Sequence, residues 1–96
     1  MGLIRAVQAA GGFGTVIHRG EPDAGALMVV LVEGSANARA FERMPNAEGD
    51  RTWQCARHQD PHDPAAFGAY LDRRSRQDAD LWIVELDIAQ GERFIR

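Results

Sequence analysis

At 96 residues the chain is sized for one domain, spanning 1–96, near the lower end of what folds comfortably alone. Its 45% hydrophobic and 26% charged residues are a globular composition and exclude a disordered or fibrous chain. The formal charge of −3, with every one of the eleven cations an arginine, supplies no summed positive field, which argues against nucleic acid as a partner.

Leu3, Ile4, Val7 and Ala10 form a helical stripe that Gly11 and Gly12 terminate. No Ser, Thr, Asp or Asn caps this helix, so either its first turn frays or the natural chain carries residues in front. Arg5 interrupts the apolar run too early for a signal-peptide core, and no later stretch approaches a membrane span. Gly2 is no lipidation signal, because Ala6 stands where Ser or Thr is required. Gly12-x-Gly14 follows a helix and opens a strand, the reverse of a dinucleotide-binding loop.

Phe13 to Arg19 reads as a strand, with Phe13, Thr15 and Ile17 on one face and Val16 and His18 on the other. A turn over 20–25, carrying Pro22, Asp23 and two glycines, leads into the apolar run Leu27 to Val32. Six unbroken apolar residues, half of them Val, predict a strand covered on both faces at the middle of a sheet. The two strands are expected to pair as a hairpin. After a turn at 34–37 that includes Ser35, Ala38 to Met44 reads as a third strand, with Arg39, Phe41 and Arg43 on one face. A turn at 45–50 and a fourth strand, Arg51 to Arg57, complete an expected antiparallel meander, with Trp53 and Cys55 pointing the same way.

Beyond the polar loop from His58 to His62, Asp63 and Pro64 predict a helix start. Phe67, Tyr70, Leu71 and Arg74 share one helical face, with Phe67 and Leu71 in the core. Arg73, Arg74 and Arg76 fall in the last turn, where cations suit the helix dipole, and a capped, solvated helix end outweighs an anion-binding patch. Asp78-Ala-Asp80 breaks the helix. The strand from Leu81 to Ile88 sets Trp82, Val84, Leu86 and Ile88 on one face, with Leu81 and Ile83 on the other before it turns acidic at Glu85 and Asp87. A short closing strand is expected over 93–95. The order α-β-β-β-β-α-β-β predicts an α+β fold: a mainly antiparallel five- or six-stranded sheet with two helices, on one face or across its ends. The 26–33 strand is placed centrally, beside 81–88.

Three stretches carry a resemblance: Gly11-Gly-Phe-Gly-Thr-Val16, Arg19-Gly-Glu-Pro-Asp-Ala-Gly-Ala-Leu27, and Ala69-Tyr-Leu-Asp-Arg-Arg74 leading into Asp80-Leu-Trp-Ile-Val-Glu85. Together they resemble a family of short bacterial proteins catalogued as a domain of unknown function. The chain departs from the family's R-G-D-x-D-A-G-A pattern at Glu21, where the pattern has Asp, and the 35–65 segment matches least. The resemblance implies a small soluble bacterial protein without an established activity, and it lends no catalytic residues.

Two constellations could carry chemistry. Cys55-x2-His58-x3-His62 has a spacing that could hold a divalent metal such as zinc, although a closed zinc site draws on more Cys and His than this chain offers. Its bland reading is a strand-end cysteine followed by a solvated loop. Arg19, Glu21 and Asp23 of the 20–25 turn could meet Trp82 and Glu85 across neighbouring strands and bind a small polar ligand. The structural alternative is that Asp23 satisfies turn amides, Arg19 pairs with an acid, and Trp82 is core or interface. Asp78/Asp80 and Glu85/Asp87 lack a nucleophile or His in a catalytic frame, and Ser35 and Ser75 occupy turn and helix-end positions. The residues therefore point first to a non-catalytic module that binds a protein partner or a second copy as a homodimer, without a cofactor. The alternative is a small-ligand-binding or metal-dependent enzyme. Cys55 as the sole cysteine allows no intramolecular disulfide and fits a cytoplasmic location.

Overall fold

The computed structural model describes residues 2–23, 25–34 and 36–95. Met1, Ala24, Ser35 and Arg96 lie outside the described residues, so the expected turns at 20–25 and 34–37 are each described without one residue, Ala24 and Ser35. The elements run α1 (Gly2–Ala9), β1 (Phe13–His18), β2 (Leu27–Glu33), β3 (Ala36–Pro45), β4 (Arg51–His58), α2 (Ala65–Gln77), β5 (Trp82–Asp87) and a 3-10 helix (Gly91–Phe94). The fold is α+β, and its five strands form one sheet in the order β1-β5-β2-β3-β4, antiparallel except for the parallel pair β2–β5. No helix is long and apolar enough to cross a membrane among the described residues.

β2 lies at the centre, and Met28 to Val32 are buried without a break. Alternation sends Met28, Val30 and Val32 to one face and Val29 and Leu31 to the other. Such a strand is stable only if both faces are roofed, which decides where the helices go. Phe67 and Leu71 of α2 pack with Met28, Val30, Val32, Ala38, Ala40, Leu81 and Ile83. Val7 of α1 joins Val29, Leu31, Phe41, Val84 and Leu86 on the opposite face, with Ile95 beside them. The expected placement of both helices on one face or across the ends of the sheet is therefore replaced by one helix on each face.

Pairing corrects a second expectation. β1 and β2 do not form a hairpin, because β5 inserts between them, so the meander contains β2, β3 and β4 alone. β5 is better suited to the interior: Ile83, Val84 and Leu86 are buried, preceded by buried Leu81. β1 carries Gly14, Thr15 and His18 and is left at the edge, where Phe13, Val16 and Ile17 are exposed. With both sides of β5 occupied, no neighbouring position is free there for a sixth strand. Residues 91–94 instead wind into the 3-10 helix after Gln90, which takes the left-handed conformation at φ 55°. That turn sets Gly91 against Leu31 and delivers Ile95 into the core.

α2 begins at Ala65, one residue later than Asp63 as cap and Pro64 as first helical residue would set it: Pro64 itself is the cap, and among the described residues no side chain caps the helix. Pro64 has helical dihedrals, φ −64° and ψ −26°, and Phe67 N–H bonds to its carbonyl. The helix is tied to the sheet by polar contacts as well as by Phe67 and Leu71. Arg74 pairs with Glu42 of β3 at 2.5 Å, and the hydrogen bond to Glu42 raises the guanidinium pKa above its ordinary value. Arg57 of β4 lies over the Tyr70 ring, 5.2 Å from its centroid.

Leu31→Ala removes a side chain with no exposed surface from the strand that supports both layers. It is expected to cost about 2–5 kcal/mol in urea unfolding, against less than about 0.5 kcal/mol for the exposed Gln54→Ala.

Candidate functional site

The loop from Arg19 to Ala26 and the segment from Asp80 to Trp82 are held together by their backbones. Glu21 N–H bonds to Asp80 O at 3.0 Å, and Trp82 N–H bonds to Ala26 O at 2.8 Å. The Trp82 indole Nε1–H donates to Glu21 O at 2.8 Å. Two glycines make this approach possible: a Cβ on Gly20 or Gly25 would sit 2.0 or 2.1 Å from the Asp80 carbonyl oxygen. Two of the three stretches that carry the family resemblance thus meet as a clasp, joining the loop before β2 to the start of β5.

Among the sequence-derived candidates, the clasp gathers Arg19, Glu21 and Trp82. The Arg19 guanidinium lies 5.9 Å from the Trp82 ring centroid. Asp23 is exposed, and its amide donates to Glu21 Oε1 at 3.4 Å. Glu85 is paired with Val30 and Thr15, three residues from Trp82 along β5. Strand alternation therefore places it on the α2 face with Ile83, whereas Trp82 shares the α1 face with Val84 and Leu86.

Cys55 is an exposed residue of β4 whose thiol contacts Arg57 O at 3.5 Å. His58 ends the strand, and His62 lies in the loop, where its amide bonds to Asp60 Oδ1 at 2.8 Å. Among the described residues, no three His, Cys, Asp or Glu side chains gather closely enough to hold a metal ion. Several carboxylates are engaged in shaping turns: Asp78 accepts from Asp80 N–H, Asp87 from Gly34 N–H, and Glu33 from Gln90 N–H.

A second group was not legible in the sequence. Register sets Leu27 beside Trp82 and Arg43 beside Trp53, while the Met28–Glu42 and Val29–Phe41 pairs carry Leu27 across from Arg43. Trp82, Leu27, Arg43 and Trp53 consequently form a row across four strands on the α1 face. α1 itself packs mainly on β1, with Val7 against Gly12 and Ile4 against Gly14. The β3–β4 end of the row opens into a cleft of about 510 Å3 lined by Ala26, Leu27, Glu42, Arg43, Arg51 and Trp53. Arg39, Phe41 and Arg43 as one face, with Trp53 directed inward from the next strand, was the available signal. Only the strand register shows that these residues meet Leu27.

The fold and this geometry define a small α+β domain with a mixed five-stranded sheet, one helix on each face and a partly apolar cleft. The chain belongs to the family described as "Protein of unknown function (DUF1491)", whose model matches residues 1–96. It is similar to the crystal structure of a DUF1491 family protein from Caulobacter crescentus, with 34% identity, 97% of this chain and 86% of that chain covered, and a TM-score of 0.78. An NMR structure of a DUF1491 family protein from Caulobacter crescentus is 32% identical over 98% of this chain and 84% of that one, with a TM-score of 0.76. The solution structure of a protein from A. tumefaciens is 27% identical over 97% and 84%, with a TM-score of 0.72. No match was found among curated proteins. The family description assigns no activity.

If Gly20 and Gly25 serve the clasp, Gly25→Ala is expected to destabilise by about 1–3 kcal/mol, because the displaced neighbour is a backbone carbonyl. Gly68→Ala, near the start of α2 with open space around it, should stabilise by about 0.5–1 kcal/mol. Thermal unfolding of the two variants side by side checks the sign of each.

Proposed function

We propose that this protein is a non-catalytic binding module that associates with a second copy of itself through the edge strand β1. One observation carries the reading: among the described residues, the exposed large hydrophobic side chains, Phe13 (73% exposed), Val16 (37%) and Ile17 (44%), all lie on that edge. Soluble proteins usually guard an edge strand with charge or proline. β4, at the other edge, carries Arg51 and Arg57, whereas β1 reads FGTVIH, with neither an acid nor an arginine. Its one guard is an irregularity between Val16 and His18.

The strand is self-complementary. An antiparallel pair centred on Thr15 sets Phe13 opposite Ile17 of the second copy, so apolar side chains meet and no like charges oppose each other. Two sheets joined this way make one ten-stranded sheet under closed two-fold symmetry. The origin of the solved relatives supports a bacterial protein, and a lone exposed Cys55 suits the reducing cytoplasm. A second reading, small-ligand binding at the clasp, is favoured by the Arg19 guanidinium over Trp82 with Glu21 and Asp23 alongside.

Size-exclusion chromatography with light scattering tests the proposal. The expected mass is twice the 10.6 kDa of one chain, falling to one chain in Phe13→Glu/Ile17→Glu. A monomer at concentrations up to about 1 mM would overturn the reading. So would a dimer that persists in the double variant.

A further inference from the structure

The cleft beside Trp53 is separate from β1 and has a different chemistry. Its floor is Leu27 and its wall is the half-buried Trp53. The Arg43 guanidinium lies 5.8 Å from the Trp53 ring centroid. Arg43 and Arg51 are bound to each other's backbone: Arg43 Nη2 donates to Arg51 O at 3.0 Å, and Arg51 Nη2 donates to Arg43 O at 3.3 Å. This reciprocal pair places two guanidiniums at one rim of an apolar hollow.

Neither arginine takes part in the ion pairs found among the described residues, which join Arg39 to Glu33 and Glu92 and Arg74 to Glu42. Glu42 also lines the cleft, but its carboxylate is bound to Arg74. Each of the two guanidiniums uses Nη2 on a carbonyl and retains further N–H donors, in a fork suited to carboxylate or phosphate oxygens. Two like charges lining one cleft repel one another, and an anion bound at their rim relieves that repulsion. The volume, about 510 Å3, falls within the range of small-molecule sites.

We propose that this cleft binds a small planar organic anion, with its flat apolar body against Leu27 and Trp53 and its carboxylate or phosphate on Arg43 and Arg51. The apolar part supplies contact area and the arginines supply orientation. The clasp favours this end of the sheet as a binding surface, because Trp82 and Arg19 extend the same row beyond Leu27.

Phenyl phosphate and benzoate are suitable probes, with inorganic phosphate and benzyl alcohol separating the charge from the ring. In two-dimensional amide NMR of the full chain, either aromatic anion should shift the Leu27, Arg43 and Trp53 signals saturably, including the Trp53 indole N–H. A Kd of about 1 mM is expected for such a small ligand. Inorganic phosphate and benzyl alcohol should each bind at least about tenfold more weakly. Arg51→Gln should weaken the aromatic anions about tenfold with the remaining spectrum intact, and Arg5→Gln on α1 should leave binding unchanged. Benzoate outbinding phenyl phosphate would indicate a carboxylate ligand, and the reverse order a phosphate ester. Absence of saturable shifts with both aromatic anions at about 20 mM would overturn the proposal. Binding of inorganic phosphate as tight as that of phenyl phosphate, or affinity unaltered in Arg51→Gln, would overturn it equally.

Discussion

A strand apolar on both sides is the constraint from which the other features follow. Each of Met28, Val29, Val30, Leu31 and Val32 gains about 1.5–3 kcal/mol by leaving water, a gross contribution comparable to the net stability of a small domain. That gain requires apolar cover above and below and hydrogen-bonded neighbours on either side. β3 supplies one neighbour through a short antiparallel connection. The other is β5, which reaches β2 in parallel after the chain has passed through β3, β4 and α2. α1 and α2 then take opposite faces because a single layer would leave half of β2 wet.

The clasp between the 20–26 loop and Asp80–Trp82 secures the less local of these pairings. A parallel neighbour brought in from far along the chain has no hairpin turn to set its register. Here the register is set where the strands begin, by Glu21 N–H on Asp80 O, Trp82 N–H on Ala26 O and the indole on Glu21 O. The glycines of this loop thereby serve close packing of two backbones, a requirement separate from any ligand. The same geometry gives Trp82 its place beside Leu27, so structural demands at the clasp also lay out part of the row that ends at the Trp53 cleft.

Features set by neighbours in sequence were legible. The β2 run, the start of α2 beside Pro64, the faces of β5 and the turn at 45–50 depend on a few adjacent residues, and the structure has them. Features set by competition between distant segments were not. Whether β1 or β5 takes the free side of β2 depends on which has more apolar surface to hide, and a short loop between β1 and β2 suggested the wrong answer. The 93–95 stretch was expected as a strand but has no free edge beside β5 to join, and residues 91–94 form a 3-10 helix instead. For the site, Arg19 and Trp82 were within reach of sequence reasoning because two motifs pointed to one junction. Glu85 was grouped with them by proximity along β5, though pleating places it on the other face. Arg43, Arg51 and Trp53 became a group only through cross-strand register, which a single sequence encodes weakly.

Native-state hydrogen exchange, followed residue by residue, tests most directly that buried β2 is the keystone. The amides of Met28 to Leu31 and their β5 partners should exchange only through global unfolding, with free energies equal to that of denaturant unfolding, while amides of β4, an edge strand with or without a second copy on β1, open earlier. Exchange of the β2 amides by local opening, ahead of β4, would contradict the account.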